Sequence, residues 1–431
     1  MLTAISRYGA RVLPDTEQRI KGCKARGELI DGPHIAQFEA AFARRAGMDP
    51  PHAIATSYGR MAFYYILEAL GLPPGSEIVV PALTFWVIPE LARAAGLRVV
   101  FADVDPSTFT LDASAFEQAI TPATRAVVPT HLYGLPCNMD AIMAVAERHN
   151  LRVVEDCAHA LGATFRGQPV GTFGDAGFFS FQTLKPLNCY GGGMAIVRDA
   201  SVAARVRART LADPWPDVKR IENRLLVGRL QRIFIRPRVF TVSAFPILWI
   251  SSLVGASPDV YLWEKIRPLT PLPEAYTERF PNVQAAIGLA GLDRLDDWTD
   301  RTRRNARLMD QALGDVPGIT IPPLFADRTH VYYQYCVYGP QRDEVVVRCV
   351  RRGVDIETLH VDVCSEMDLF AGERVVPEGA PGAKRAAGAV QIPVYASLTD
   401  GQARRVARVV RSVLANTRQD NSTTDPPRPL R

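Results

Sequence analysis

From His52 to Glu155 the chain alternates short, wholly apolar runs with amphipathic stretches, and few folds tolerate that rhythm. The apolar runs lie near Ile78–Val80, Val99–Ala102, Ala126–Pro129 and Val153–Glu155. Between them, Arg60–Leu70, Val87–Ala95, Ala113–Ile120 and Met139–His149 carry helical periodicity. A strand apolar on both faces must be covered on both faces, and the helices supply the cover. The expectation is α/β: βαβ units building a mostly parallel central sheet flanked by helices. Ligands of such sheets sit at the carboxyl ends of the strands. Asp156 falls at one such end and the Asp103–Asp105 pair at another.

The length of 431 residues suits two domains packed as a unit. A net charge of +5 is small for this length and gives no reason to expect nucleic acid as a partner. The seven cysteines are odd in number and scattered, with no CxxC pair. That argues against a disulfide framework or a metal site and for a reducing, cytoplasmic setting. The first residues (MLTAISRYGARVLPD) lack the apolar run of a signal peptide.

The stretch Arg152–Val197 carries the chemistry. An apolar strand ends in Asp156, a second one follows, then Lys185, then three glycines. A lysine amine becomes a useful nucleophile when its pKa is lowered or when it is stored as a Schiff base with a carbonyl. Pyridoxal 5'-phosphate supplies such a carbonyl and an electron sink. It needs an acid for its ring nitrogen, donors for its phosphate and a flat apolar partner for its ring. Asp156, Ser180 and Phe85 are suitable for these three tasks, and Gly59 and Arg60 open a helix whose N–H groups suit phosphate. Each residue also has a bland reading: a solvated lysine, a capping aspartate, a core phenylalanine, a satisfied buried serine. His159 reads equally as a contact to the ring oxygen or as a core histidine. The joint spacing is what carries weight.

These residues resemble a known family. The segments IDGPHIAQFEAAFA, EIVVPALTF, VVFADVD, ITPATRAVVPTHLYG, VVEDCAHALGA, GTFGDAGFFSFQTLKPL followed by GGGM, and RFPNVQAAIGLAGLDRL resemble the DegT/DnrJ/EryC1/StrS sugar aminotransferases. These are pyridoxal phosphate enzymes of fold type I. The resemblance spans roughly Gly27 to Trp298 and continues weakly in VQIPVYASLTDGQ. It implies Lys185 as the Schiff-base lysine, Asp156 as the pyridinium partner and Ser180 as a phosphate ligand. It further implies Phe85 as the stacking aromatic and His159 as a cofactor contact. Arg279 and Asn282 would reach the neighbouring subunit's site, which implies a homodimer with shared active sites. Tyr190 and His131 are candidate substrate contacts. The implied reaction moves an amine from an amino acid, glutamate by resemblance, to a nucleotide- or lipid-linked keto-sugar. Two rivals keep the same fold. A dehydratase branch carries histidine where this chain has Lys185, and a non-catalytic sensor or membrane-recruited binding protein would not need the intact set Lys185, Asp156 and Ser180.

Three departures stand out. Arg60 replaces a small hydroxyl in the first phosphate-binding turn, and an arginine fork also suits phosphate. Gly191 stands where many relatives have an acid. Lys219–Tyr276 replaces a short loop. On a helix, Leu226, Val227, Leu230, Ile233 and Phe234 fall on one arc and Arg224, Arg229, Arg232 and Arg236 on the opposite one. The uncharged run Val239–Ala256 follows, interrupted by Pro246. One crossing would put Lys185 and the Arg279 segment on opposite sides of a membrane. The expectation is therefore an interfacial element, residues 219–256 lying on anionic lipid at the cytoplasmic face, with arginines each contributing roughly 1 kcal/mol. The chain divides into residues 1–215 (cofactor domain), 216–276 (insert), 277–416 (contact helix and small α/β domain) and 417–431 (a polar tail expected to be disordered, the last helix ending at Leu414).

Overall fold

The computed structural model describes residues 3–9, 13–254, 265–339, 341–358 and 361–420. Its frame is an eight-stranded sheet of β1 (Ala53–Thr56), β2 (Glu77–Pro81), β3 (Arg98–Ala102), β4 (Thr124–Val127), β5 (Arg152–Asp156), β6 (Ala176–Ser180), β7 (Gly193–Val197) and β8 (Arg374–Val376). The spatial order is β1-β7-β6-β5-β4-β2-β3-β8. Only β7 runs against its neighbours; the ladders from β6 through β5, β4, β2 and β3 to β8 are all parallel. β2 shows why the strands are apolar throughout. Ile78 and Val80 pack on one face with Met61 and Ile66 of the Gly59–Leu70 helix. Val79 faces the other way, into a cluster with Phe116 and Met139 of helices Ala113–Ala119 and Met139–Arg148. The sheet is covered on both sides, as its two-sided hydrophobicity requires.

A second, three-stranded antiparallel sheet joins Tyr335–Val337, Val390–Ile392 and Glu357–Thr358. Helices Leu295–Leu313, Arg342–Arg351 and Asp400–Asp420 contribute to its core. The two halves exchange elements. Ile5 packs into the small-domain core, and β8 returns to the edge of the large sheet. Asp103, at the end of β3, accepts from the Gly382 and Ala383 N–H groups at 2.7 and 2.8 Å. Its carboxylate thus anchors the returning chain and is not a ligand group. The last helix runs to Asp420 rather than stopping at Leu414, so the tail expected to be disordered begins helical. Residues 421–431 lie outside the described residues. All seven cysteines are buried and unpaired.

The insert folds as helices Val218–Phe234, Pro237–Val242 and Ala244–Val254. The apolar run is thus split in two, and residues 255–264 lie outside the described residues. Among the described residues no helix is long and apolar enough to cross a membrane. The first helix turns its apolar arc outward. Leu226, Val227, Leu230, Ile233 and Phe234 are 42–49% exposed. Arg224 and Arg229 turn toward the protein instead, Arg229 pairing with Glu17 at 2.6 Å. The cause is the contact face. Ile221, Leu225 and Gly228 lie one turn apart on the helix and are buried, and a Cβ on Gly228 would strike the Tyr190 ring. The helix can approach the body only along its smallest face.

Candidate active site

The carboxyl ends of β5 and β6, the N-terminus of the Gly59–Leu70 helix and the Gln182–Tyr190 loop converge. Asp156 ends β5. It is 5% exposed and accepts from the Ala158 N–H at 3.0 Å. Burial pushes its carboxyl up to about 6, against the Ala158 N–H and the positive charges of Lys185 and His131. Lys185 follows β6 on a turn closed by its N–H to the Gln182 carbonyl at 2.9 Å. Burial pulls its amine down to about 8; the Asp156 carboxylate opposes that shift and the Arg60 guanidinium adds to it. An amine with that pKa is partly neutral near pH 7.5, which a nucleophile requires.

Tyr333, from the small domain, closes the far side. Its ring lies 5.1 Å below the Lys185 Nζ and stacks on His159 at 4.1 Å. The Tyr133 N–H points at His159 Nδ1 at 3.4 Å. His159 is thereby fixed beside the lysine.

A cradle for an anion lies next to them. Ser180 ends β6 beside the first turn of the Gly59–Leu70 helix. There a Cβ on Gly59 would sit 2.7 Å from the Phe179 carbonyl oxygen and 2.9 Å from the Ser180 Cβ. Only glycine lets the helix start so close to the strand. The unpaired N–H groups of a helix's first turn, together with a serine hydroxyl, form an anion site. Arg60 stands at the rim. Its guanidinium lies 5.4 Å from the Phe85 ring and 5.0 Å from the Tyr276 ring, and it donates to the Tyr276 hydroxyl. Pyridoxal phosphate fits these residues: a helix start where a Cβ on Gly59 would collide, a buried carboxylate at a strand end and an amine of lowered pKa.

Four expected residues lie elsewhere or act differently. His131 is fully buried; its Nε2 lies 3.0 Å from Glu155 and its Nδ1 faces the Cys137 N–H at 3.0 Å. Both ring nitrogens are committed, so it stands behind Asp156 and is not a substrate contact. Tyr190 is 4% exposed and packs with Ile20, Ile221, Leu225 and Val283. It holds the insert helix and is not a substrate contact either. Asn282 is buried, with Oδ1 accepting from the His34 N–H and Nδ2 donating to the Glu28 carbonyl, both at 2.8 Å. Arg279 donates from Nε to the Asp213 carbonyl at 2.9 Å and lies 4.8 Å from the Trp215 ring. In the single chain both are spent on their own fold.

Sequence reasoning missed Tyr333, Tyr58, Tyr276 and Glu155. Glu155 accepts from the Gly171, Phe173 and Gly174 N–H groups at 2.8, 2.7 and 2.9 Å and so shapes the loop before β6. The glycines spaced through GTFGDAG were the available signal: they free backbone N–H groups for a carboxylate. His131, Glu155 and Cys157 lie close enough to suggest a metal site, but Glu155 is already saturated by these donors and by His131.

The chain matches the model of the DegT/DnrJ/EryC1/StrS aminotransferase family over residues 13–217 and 255–411. It is 32% identical over 397 residues to GDP-perosamine synthase of Caulobacter vibrioides, covering 89% of this chain and 91% of the relative. It is 31% identical over 400 residues to dTDP-3-amino-3,4,6-trideoxy-alpha-D-glucose transaminase of Streptomyces venezuelae, covering 92% and 91%. The solved structure of the aminotransferase TlmJ from Streptoalloteichus hindustanus superposes with a TM-score of 0.76 at 27% identity, over 96% of this chain and all of that one. The gap in the family match, residues 218–254, coincides with the three insert helices. The chain belongs to the DegT/DnrJ/EryC1/StrS aminotransferase family, whose enzymes depend on pyridoxal phosphate.

Proposed function

We propose that the chain transfers an amino group from an amino acid, glutamate by resemblance, to a keto-sugar carried on a nucleotide or a lipid. The observation that carries this is Lys185: an amine lowered to about 8, facing Asp156, beside an anion cradle. Two relatives are named for nucleotide sugars, GDP-perosamine synthase and a dTDP-amino-sugar transaminase. When bound, pyridoxal phosphate supplies an electrophilic carbon and an electron sink. Ser180 and the Gly59 turn would hold its phosphate, Phe85 and His159 would contact its ring, and Asp156 would keep a proton on the ring nitrogen. The Lys185 Nζ would take a proton from the donor's α-carbon in the first half-reaction and supply one to the acceptor's carbon in the second. The small-domain Tyr333 keeps water from the amine. Single-turnover amine transfer to a panel of nucleotide-linked and lipid-linked keto-sugars tests the reading, and a panel without any acceptor refutes it.

The insert extends the reading. Its outward face carries Leu226, Val227, Leu230, Ile233 and Phe234, joined by Val242, Ile247, Trp249, Ile250 and Leu253 at 41–78% exposure. Exposed Arg236 and Arg238 lie between the two sets. An apolar face bordered by cations suits the headgroup region of an anionic bilayer, and helices too short to cross would lie along it. We place the enzyme at the cytoplasmic membrane face as a homodimer. In such a dimer Arg279, held in the single chain against Asp213 and Trp215, would have to leave these partners to reach the neighbouring site. Sedimentation with anionic vesicles and sedimentation equilibrium test the two statements; a protein that ignores vesicles, or a monomer at micromolar concentration, contradicts them.

A further inference from the structure

The insert reaches the active site, and its contact point is Arg224. This residue lies in the segment the family match skips. Its Nη2 donates to the Tyr58 hydroxyl at 2.8 Å and its Nη1 faces Gln284 Oε1 at 3.4 Å. Tyr58 is the residue before the Gly59–Leu70 helix, so Arg224 holds the side chain that leads into the anion cradle. Its guanidinium lies 5.2 Å from the Tyr58 ring while that of Arg60 lies 5.7 Å from the same ring. Two cations share one aromatic ring. The hydrogen-bond partners of Arg224, a phenol and an amide, are neutral. The nearby carboxylate Glu278 pairs with Arg220 and feels the charge of Arg224 at longer range.

The position facing Arg224 sharpens the point. Gly191 lies beside Arg224. A Cβ built there would lie 3.4 Å from the Arg224 Cδ and 3.5 Å from its Nη1. Glycine at 191 leaves that space to the guanidinium from the insert. Two guanidiniums around one ring, one of which (Arg60) also lowers the Lys185 amine, favour an anionic occupant.

We infer that Arg224 is a specificity-determining residue that binds a phosphate group of the sugar acceptor, so that the insert forms one wall of the acceptor site. The inference rests on the keto-sugar reading and deepens it, naming a phosphate ester as the chemistry recognised. Nucleotide-linked and lipid-linked sugars share that group. A planar fork can hold a phosphate with two hydrogen bonds, and the opposite face of the same helix carries the exposed apolar residues.

The test uses the cofactor-loaded protein and Arg224→Ala and Arg224→Lys. Inorganic pyrophosphate binding is measured by titration calorimetry, and KM and kcat are measured for a nucleotide-linked and a lipid-linked keto-sugar. The cofactor absorbance band and Tm serve as the folding check. Loss of a charged phosphate contact should weaken pyrophosphate binding and raise KM at least about ten-fold in the alanine variant, with kcat changed less than about three-fold and lysine recovering part of the loss. The acceptor whose KM moves identifies the carrier. Unchanged pyrophosphate affinity overturns the inference, as does a loss confined to the cofactor band, which would assign Arg224 to the cofactor phosphate. If neither sugar accepts an amine, the keto-sugar reading fails while the pyrophosphate titration still decides on Arg224.

Discussion

The Arg152–Val197 stretch and the insert at residues 218–254 obey different rules. The first is locked from every side. β5 and β6 are buried between neighbours, Asp156 and Ser180 sit where the strands end, and Glu155 ties down the loop between them. The insert touches the body through the small face of its first helix, Ile221, Leu225 and Gly228, and at a few points of the next two, Thr241 accepting from the Ala4 N–H and the Ser252 carbonyl from Arg351. In the first region strand ends fix the position of each functional group. In the second, one glycine decides which way a whole helix faces. Site chemistry in this protein is therefore written in short-range spacing, and its elaboration in a long-range contact.

The largest expected effects lie in the locked region. Lys185→Ala should lower amine transfer at least about 10³-fold, with the fold intact, because no other amine replaces the proton carrier; steady-state rates and Tm on the same sample check this. Asp156→Asn should cost roughly 10²-fold or more in kcat, since the amide cannot hold a proton on the ring nitrogen. Gly228→Val should press on Tyr190 and tip the insert helix. Overpacking of that kind costs about 1–3 kcal/mol, seen as a lower Tm. If the insert walls the acceptor site, KM for the acceptor should rise while the cofactor band persists. Smaller still is a pH effect. The neutral Lys185 amine captures the cofactor, so capture by the cofactor-free protein should rise with pH and level off above about 8. It should weaken as Asp156 loses its charge below about 6. A rise continuing past pH 10 would mean an ordinary, unshifted lysine. Leu230→Asp should change stability by no more than about 0.5 kcal/mol, because the residue is exposed, and should abolish vesicle binding. A large loss of stability there would show that the helix face is covered in solution.

Much of this was legible in the sequence. The two-sided apolar strands gave the sheet, and the run from Asp156 through Ser180 to Lys185 gave the site, since each residue is placed by the strand or turn it belongs to. Periodicity separated the two arcs of the insert helix but not which arc faces the body; that depends on Tyr190, whose ring fits only against Gly228. His131 and Tyr190 sit close in sequence to the site but are pulled into the core, His131 by Glu155 and Tyr190 by the insert. Tyr333 comes from the small domain, with no local pattern tying it to Lys185, and only the packing of the two halves brings it there. β8 was invisible for the same reason, three residues returning to a sheet edge across more than 270 positions.

The central claim is that Lys185 is the amine that holds the cofactor. Protein loaded with pyridoxal phosphate should be reduced with borohydride, digested and mapped by mass spectrometry. A single pyridoxyl mass on the peptide containing Lys185, absent in Lys185→Ala, is the predicted result. A label on another lysine, or none while the loaded protein still transfers amines, would contradict it.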